Sequence, residues 1–244
     1  GRVTGIKANS QEFGELVLTA PVVIDASGRD CFAAHKENWM VRDPELKKVA
    51  LWTYYKGAKR DPGLDEGATT VAYLPGKGWF WYIPLSGDMV SVGIVAERDY
   101  LFNGSTKDHA EIFQREIRNN AWIEEHLSLG EQVGEYRVTG EYSYRNKYCS
   151  MDGLVLAGDA LGFLDPVFSS GVFLALKSGA MLADEVDAAL SAGPINAHSF
   201  DRYGKKMQSS IETMRKIVYA FYDPKFSFGD LVKRGEHLRG ALTD

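Results

Sequence analysis

Two apolar runs finish in small residues plus an aspartate: Val23-Ile24-Asp25-Ala26-Ser27-Gly28 and Leu154-Val155-Leu156-Ala157-Gly158-Asp159-Ala160. They lie roughly 130 residues apart. Such runs read as parallel strands buried on both faces, and ligands of open α/β sheets bind beyond the carboxyl ends of those strands. Gly28 and Gly158 let backbone approach a ligand closely. The Asp159 carboxylate is suited to accept hydrogen bonds from sugar hydroxyls, which makes a polyol or ribose the natural ligand. Taken singly, Gly158-Asp159 reads more readily as a mere turn and Ser27-Gly28 as a mere strand end; together they point to a ligand.

The segment Gly162-Phe163-Leu164-Asp165-Pro166-Val167-Phe168-Ser169-Ser170-Gly171-Val172 leads from the second run into a helix. Pro166 fixes φ and Gly171 frees it. A loop entering a helix this way aims the amides of Ser170, Gly171 and Val172 outward, where the helix start adds roughly half a positive charge. That is a place for an anion or an electron-rich ring. The competing reading is that Ser169 or Ser170 is only an N-cap. In Trp79-Phe80-Trp81-Tyr82-Ile83-Pro84, alternation sends Trp79, Trp81 and Ile83 to one strand face and Phe80, Tyr82 and Pro84 to the other. A sheet core and an aromatic wall beside a planar ligand explain this pattern equally well.

Other chemistries lack their residues. The five histidines, at 35, 109, 126, 198 and 237, are scattered, and there is no HExxH, GxSxG, P-loop or GxGxxG pattern. With 28 Lys plus Arg against 33 Asp plus Glu, the formal charge is −5, without the basic patch of a nucleic-acid binder. Cys31 and Cys149 are too few for a disulfide framework, so a reducing, cytoplasmic setting is expected. No apolar run reaches the roughly 20 residues of a membrane span, and the sequon Asn103-Gly104-Ser105 is read as accidental.

The elements that must position these residues are legible as patterns. The chain opens at Gly1, not Met, inside a strand-like run, which reads as a fragment. Val49 to Lys56, Thr69 to Leu74, Trp79 to Leu85 and Met89 to Ala96 read as an antiparallel sheet, with a hairpin turn at Ser86-Gly87-Asp88. One amphipathic helix is expected over Asp108 to Leu127, and a strand over Gly134 to Tyr144. A helix from Gly171 to about Leu190 is apolar nearly all round in its first half, which predicts deep burial. A second helix runs from Ser199 to Tyr222 and is stopped at Asp223-Pro224, with one shorter helix expected between Phe226 and Leu242.

Taken in order, the DASG element at Asp25 to Gly28, the WxWxIP strand at Trp79 to Pro84, and Gly158-Asp159-Ala160 with Phe163-x-x-Pro166-x-x-Ser169-x-Gly171 resemble the flavin-dependent halogenases. These belong to the wider FAD monooxygenase and geranylgeranyl-reductase-like group. The likeness looks nearest to the branch acting on phenolic or pyrrole substrates. It implies an α/β chain: part of a Rossmann-like, parallel-sheet FAD domain (1–30 and 146–190), an antiparallel-sheet substrate domain (31–145) and a C-terminal helical segment (191–244). The family's N-terminal βαβ unit with its GxGxxG, and its catalytic lysine, precede the DASG element and are missing here. The resemblance therefore assigns no catalytic residue within this sequence.

The resemblance further implies that Asp159, beside Gly158, meets the ribityl chain of FAD, and that Asp25, Ala26, Ser27 and Gly28 border its pyrophosphate and adenosine. Pro166, Ser169, Gly171 and Val172 join the cofactor site. The Ser170 and Gly171 amides hold chloride or bromide, while Trp79, Trp81, Ile83 and Pro84 keep substrate from the flavin. Reduced FAD from a separate flavin reductase, O2 and halide then give hypohalous acid for an electron-rich aromatic substrate, free or on a carrier protein. Phe168 stands where the tryptophan halogenases carry a glutamate, which argues against free tryptophan. The alternatives are an FAD monooxygenase or reductase that ignores halide, and a non-catalytic fragment.

Overall fold

The computed structural model describes residues 1–104, 106–140, 143–223, 225 and 227. The chain begins with a hairpin of β1 (Gly5–Ser10) and β2 (Gly14–Thr19), then β3 (Val23–Asp25) and a short helix α1 (Phe32–Lys36). After β4 (Met40–Arg42) come β5 (Lys48–Lys56), β6 (Thr70–Leu74), β7 (Gly78–Leu85) and β8 (Met89–Glu97). Helices α2 (Arg98–Leu101), α3 (His109–Ile117) and α4 (Ala121–Leu127) follow, then β9 (Glu131–Gly140) and β10 (Tyr144–Asn146). The chain closes with β11 (Ser150–Met151), β12 (Leu154–Leu156), β13 (Gly162–Phe163), and the long helices α5 (Gly171–Ala192) and α6 (Asp201–Tyr222).

The expected antiparallel sheet forms in the order β6-β7-β8-β5-β9. Its register sets Trp79 opposite Val95 and Trp81 opposite Gly93, with Gly93 also opposite Trp52. Alternation then does what the pattern demands. Phe80 and Tyr82 face α3 and α4, where Phe80 meets Phe113 edge-on at 6.0 Å and Tyr82 meets Trp122 at 5.2 Å. Trp79 and Trp81 face the opposite way, onto Val167, Phe168, Val218 and Phe221. A third core gathers β12, α1, α5 and α6 through Ala34, Leu156, Leu182, Tyr203, Met207 and Ile211.

Four expectations need correction. The helix over 108–127 is two helices, because the Asn120 side chain accepts from the Ile123 N–H at 3.1 Å and starts a new one. The strand over 134–144 is likewise two: β9 pairs with β5, whereas β10 joins β4 and β13 in a separate sheet. β3 is an edge strand, paired in parallel with β12 alone, and Ile24 is 47% exposed. The first half of α5 is not deep: Val172, Phe173 and Leu176 are exposed, because the elements packed on α5 cover only the face carrying Ser178 and Leu182. The stop at Pro224 and the helix between Phe226 and Leu242 lie outside the described residues. No helix among the described residues is long and apolar enough to cross a membrane.

Candidate functional site

β3 and β12 lie side by side and in parallel, with Asp25 level with Leu156. The two aspartate-bearing strand ends are thereby neighbours, although they are far apart in sequence. Asp25 is buried and its oxygens accept from Ser27 N at 2.9 Å and Ala33 N at 2.7 Å, so this carboxylate folds the turn into α1. Ser27 Oγ accepts from Phe32 N at 3.0 Å in the same turn. Ala26 and Ser27 are exposed. Gly28 has φ +66°, and a Cβ there would meet no heavy atom within 4 Å, so the glycine serves the left-handed turn and leaves open space before it.

Beyond β12 the chain makes a tight turn at Gly158–Ala160. Gly158 has φ +58°, its N–H donates to Ser178 Oγ at 2.8 Å, and an added Cβ would stand 3.4 Å from Ala175. The close approach that this glycine permits is thus to α5. Asp159 is half-buried, and no donor among the described residues bonds its carboxylate. Burial raises its pKa above the ordinary carboxylate value, and the Arg29 guanidinium offsets part of that rise. An acceptor-only group held part-way out of water with its lone pairs unclaimed is suited to hydroxyl donors. Behind it, the Cys31 thiol donates to Tyr144 Oη at 3.0 Å, and Tyr144 donates to the Asp159 carbonyl at 2.7 Å. Burial pushes both the thiol and the phenol up, which keeps them protonated as this chain of donors requires.

The loop between β13 and α5 is locally over-determined. Asp165 caps a short 3-10 turn, accepting from Val167 N at 3.1 Å, with Pro166 at its first position. Ser169 N donates to Pro166 O at 2.8 Å, and Ser169 adopts φ +51°, a conformation a non-glycine residue takes at some cost. Ser170 occupies the N-cap position of α5, yet no side chain caps that end, so the pure N-cap reading of the serines fails. The first intrahelical bond is from Leu174 N to Ser170 O, 3.0 Å, so the amides of the first turn have no intrahelical partner. A Cβ built at Gly171 would meet nothing within 4 Å. The amides at this helix start therefore have no hydrogen-bond partner among the described residues, about one turn of α5 from the Gly158 contact at Ala175.

Among the aromatic-strand residues, Trp79 is 3% exposed and packs with Val167 against this loop, with Trp81 half-buried beside it. Ile83 is half-buried further along the same face, opposite Ser91, and Pro84 projects from the other face. Two partners of this strand went unread in the sequence. Gly93 lies under the Trp81 indole, and Tyr222 of α6 accepts from Trp79 Nε1 at 2.8 Å. No group of His, Cys, Asp and Glu among the described residues is arranged to hold a metal.

A parallel strand pair with a free carboxylate at its end, an uncapped helix beside it and an aromatic sheet packed on the joining loop define a flavoprotein-like α/β chain. The family model described as tryptophan halogenase matches residues 1–226, and the chain belongs to that family, the flavin-dependent halogenases. Over 193 residues it is 32% identical to a 1H-pyrrole-2-carbonyl-[peptidyl-carrier protein] brominase of Pseudoalteromonas luteoviolacea, covering 78% of this chain and 47% of the relative. The corresponding chlorinase of Pseudomonas fluorescens is 28% identical over 211 residues, covering 84% of this chain and 46% of the relative. Among solved structures, the myxobacterial chondrochloren halogenase CndH, a variant of FAD-dependent halogenases, superimposes with a TM-score of 0.82 at 31% identity, covering 93% of this chain and 52% of that one. The chain spans about half the length of the curated relatives it matches.

Proposed function

We propose that the protein carrying this chain is an FAD-dependent oxidoreductase that uses reduced FAD, O2 and chloride or bromide to halogenate an electron-rich aromatic substrate. The observation that carries the proposal is the open, uncapped start of α5 beside the unclaimed Asp159 carboxylate. These residues fit the flavin. Asp159 accepts from the ribityl hydroxyls, while Gly158 lets the turn that carries it pack closely on α5. Asp25, Ala26, Ser27 and Gly28 border the pyrophosphate and adenosine, and Pro166, Ser169, Gly171 and Val172 complete the cofactor wall. When bound, reduced FAD supplies the activation of O2 that oxidises halide. The amides of Ser170 and Gly171 hold the halide, where the helix-start dipole favours negative charge. Trp81 and Ile83, on the sheet face that they share with the buried Trp79, separate the substrate from the flavin, and Pro84 lies near the end of the strand on the other face.

In this reading residues 1–30 and 146–190 contribute to the FAD domain, 31–145 form the substrate domain, and the C-terminal helical segment takes in α6 (Asp201–Tyr222). A flavin reductase provides the reduced cofactor. The carrier-protein halogenases among the relatives favour a pyrrole ring presented on a carrier. The two cysteines are both free, which suits a cytoplasmic protein. The test is product analysis of the full-length protein supplied with reduced FAD, O2, a pyrrolyl or phenolic substrate, and chloride, bromide or neither. A halogenated product that appears only with halide supports the proposal. Hydroxylated or hydrogenated product that is indifferent to halide rejects it.

A further inference from the structure

We propose that Tyr222 is a positioning residue whose hydroxyl ties the aromatic strand to the turn presenting the Ser170 and Gly171 amides, so that halide affinity depends on it. The proposal rests on the reading above that those amides take halide. Trp79 Nε1–H donates to Tyr222 Oη at 2.8 Å, and Tyr222 donates to Asp165 Oδ2 at 2.9 Å. The directions are fixed by chemistry, because an indole only donates and an ionised carboxylate only accepts. The other Asp165 oxygen accepts from Val167 N at 3.1 Å. Three separate elements, β7, α6 and the loop before α5, thus meet at one hydroxyl.

Asp165 is 1% exposed, so its carboxylate relies on protein donors in place of water. Lys48, itself buried and paired with Glu97, lies 4.2 Å over the Tyr222 ring and brings positive charge to the same side. Next to Tyr222, Phe221 meets Phe168 edge-on at 6.1 Å, so the last turn of α6 grips the loop at two points. Between Asp165 and Ser170 lie the fixed φ of Pro166, the closed 3-10 turn and the left-handed Ser169. Such a segment moves as a unit, and a shift at Asp165 re-aims the amides that follow. Trp79, with its ring buried and its N–H engaged within the protein, acts through Tyr222 on this turn.

The test is Tyr222→Phe in the full-length protein, which removes one oxygen and keeps the ring beneath Lys48. Two readouts are taken: halide saturation of the reaction, and hydrogen exchange of the 167–173 amides in flavin-free protein. The expected result is a roughly tenfold rise in the halide concentration for half-maximal rate, the scale of one charge-assisted hydrogen bond. Turnover at saturating halide should change less, and exchange across 167–173 should quicken. Asp165→Asn, which keeps the side-chain shape, should shift both readouts the same way. Unchanged exchange in both variants overturns the proposal, as does a fall in turnover with unaltered halide saturation. If the parent protein makes no halide-dependent product, the halogenase reading fails, and with it the halide part of this proposal. The exchange measurement then separately decides whether Tyr222 holds the turn.

Discussion

Gly93 sits on β8 directly under the Trp81 indole, and replacing it with alanine is a sharp test of how the aromatic face is built. A Cβ at this position would stand 2.3 Å from Trp81 Cζ2, 2.4 Å from Cη2 and 2.5 Å from Trp52 Cβ. Carbon atoms prefer about 3.5–4.0 Å, so the Trp81 indole must move by roughly an ångström or more, and β5 must also give way at Trp52 Cβ. Trp81 is not free to do so at no cost, because its Nε1 donates to Ser91 Oγ at 3.1 Å and its ring tilts against both Trp52 and Trp79. Overpacking of this kind costs about 1–3 kcal/mol. At about 2–4 °C per kcal/mol for a domain of this size, Gly93→Ala should melt roughly 2–12 °C below the parent. Gly140→Ala is the internal control: its Cβ would lie 3.6 Å from Val49 Cγ2, an ordinary contact, and its melting point should stay near the parent value. Calorimetry with indole fluorescence decides the matter. If Gly93→Ala melts with the control and its emission is unaltered, the ring does not lie where this account needs it.

Three further substitutions have expected outcomes. Asp43→Ala removes the carboxylate that the buried Arg215 guanidinium meets at 2.5 Å, leaving it the half-exposed Glu212 at 3.3 Å from Nε, and takes from Tyr219 its acceptor. Denaturant titration should show a loss of about 3–5 kcal/mol. Ser178→Ala deprives the Gly158 N–H of its partner and should cost about 1–3 kcal/mol by the same measurement. Asp159→Asn separates stability from function. Because burial raises this carboxyl's pKa, the fold favours its protonated form, whose contribution is complete below the ordinary value of 3.8 and is lost as pH rises through the raised value. The variant should therefore melt higher than the parent at neutral pH, with the gap closing in acid. Flavin titration should meanwhile show weaker binding, by roughly tenfold. Equal melting points at all pH values would contradict the assigned desolvation.

Much of the scaffold was legible because side-chain period is local. The alternation in Trp79 to Pro84 predicted the two opposite faces that Phe80 and Trp79 occupy, and the abrupt Asp-Ala-Ser-Gly and Gly-Asp-Ala endings predicted two parallel strand ends. What escaped the sequence depends on distant partners. The apolar stretch at the start of α5 says that those residues prefer burial, but not which elements cover them, and Phe173 and Leu176 stand exposed. The break within 108–127 turned on whether Asn120 would cap a helix or sit inside one. Gly93 gained its role only from a register that lays Trp81 across it. The Trp79–Tyr222–Asp165 junction joins positions 143 and 57 residues apart, beyond any motif.

The central claim is that the uncapped amides at the start of α5 bind halide. Anomalous diffraction from crystals of the full-length protein soaked in bromide tests it most directly. A bromide peak is expected within hydrogen-bonding distance of the Ser170 and Gly171 nitrogens, lost when chloride replaces bromide. A well-ordered loop with no peak there, or with those nitrogens bonded to protein carbonyls, would contradict it.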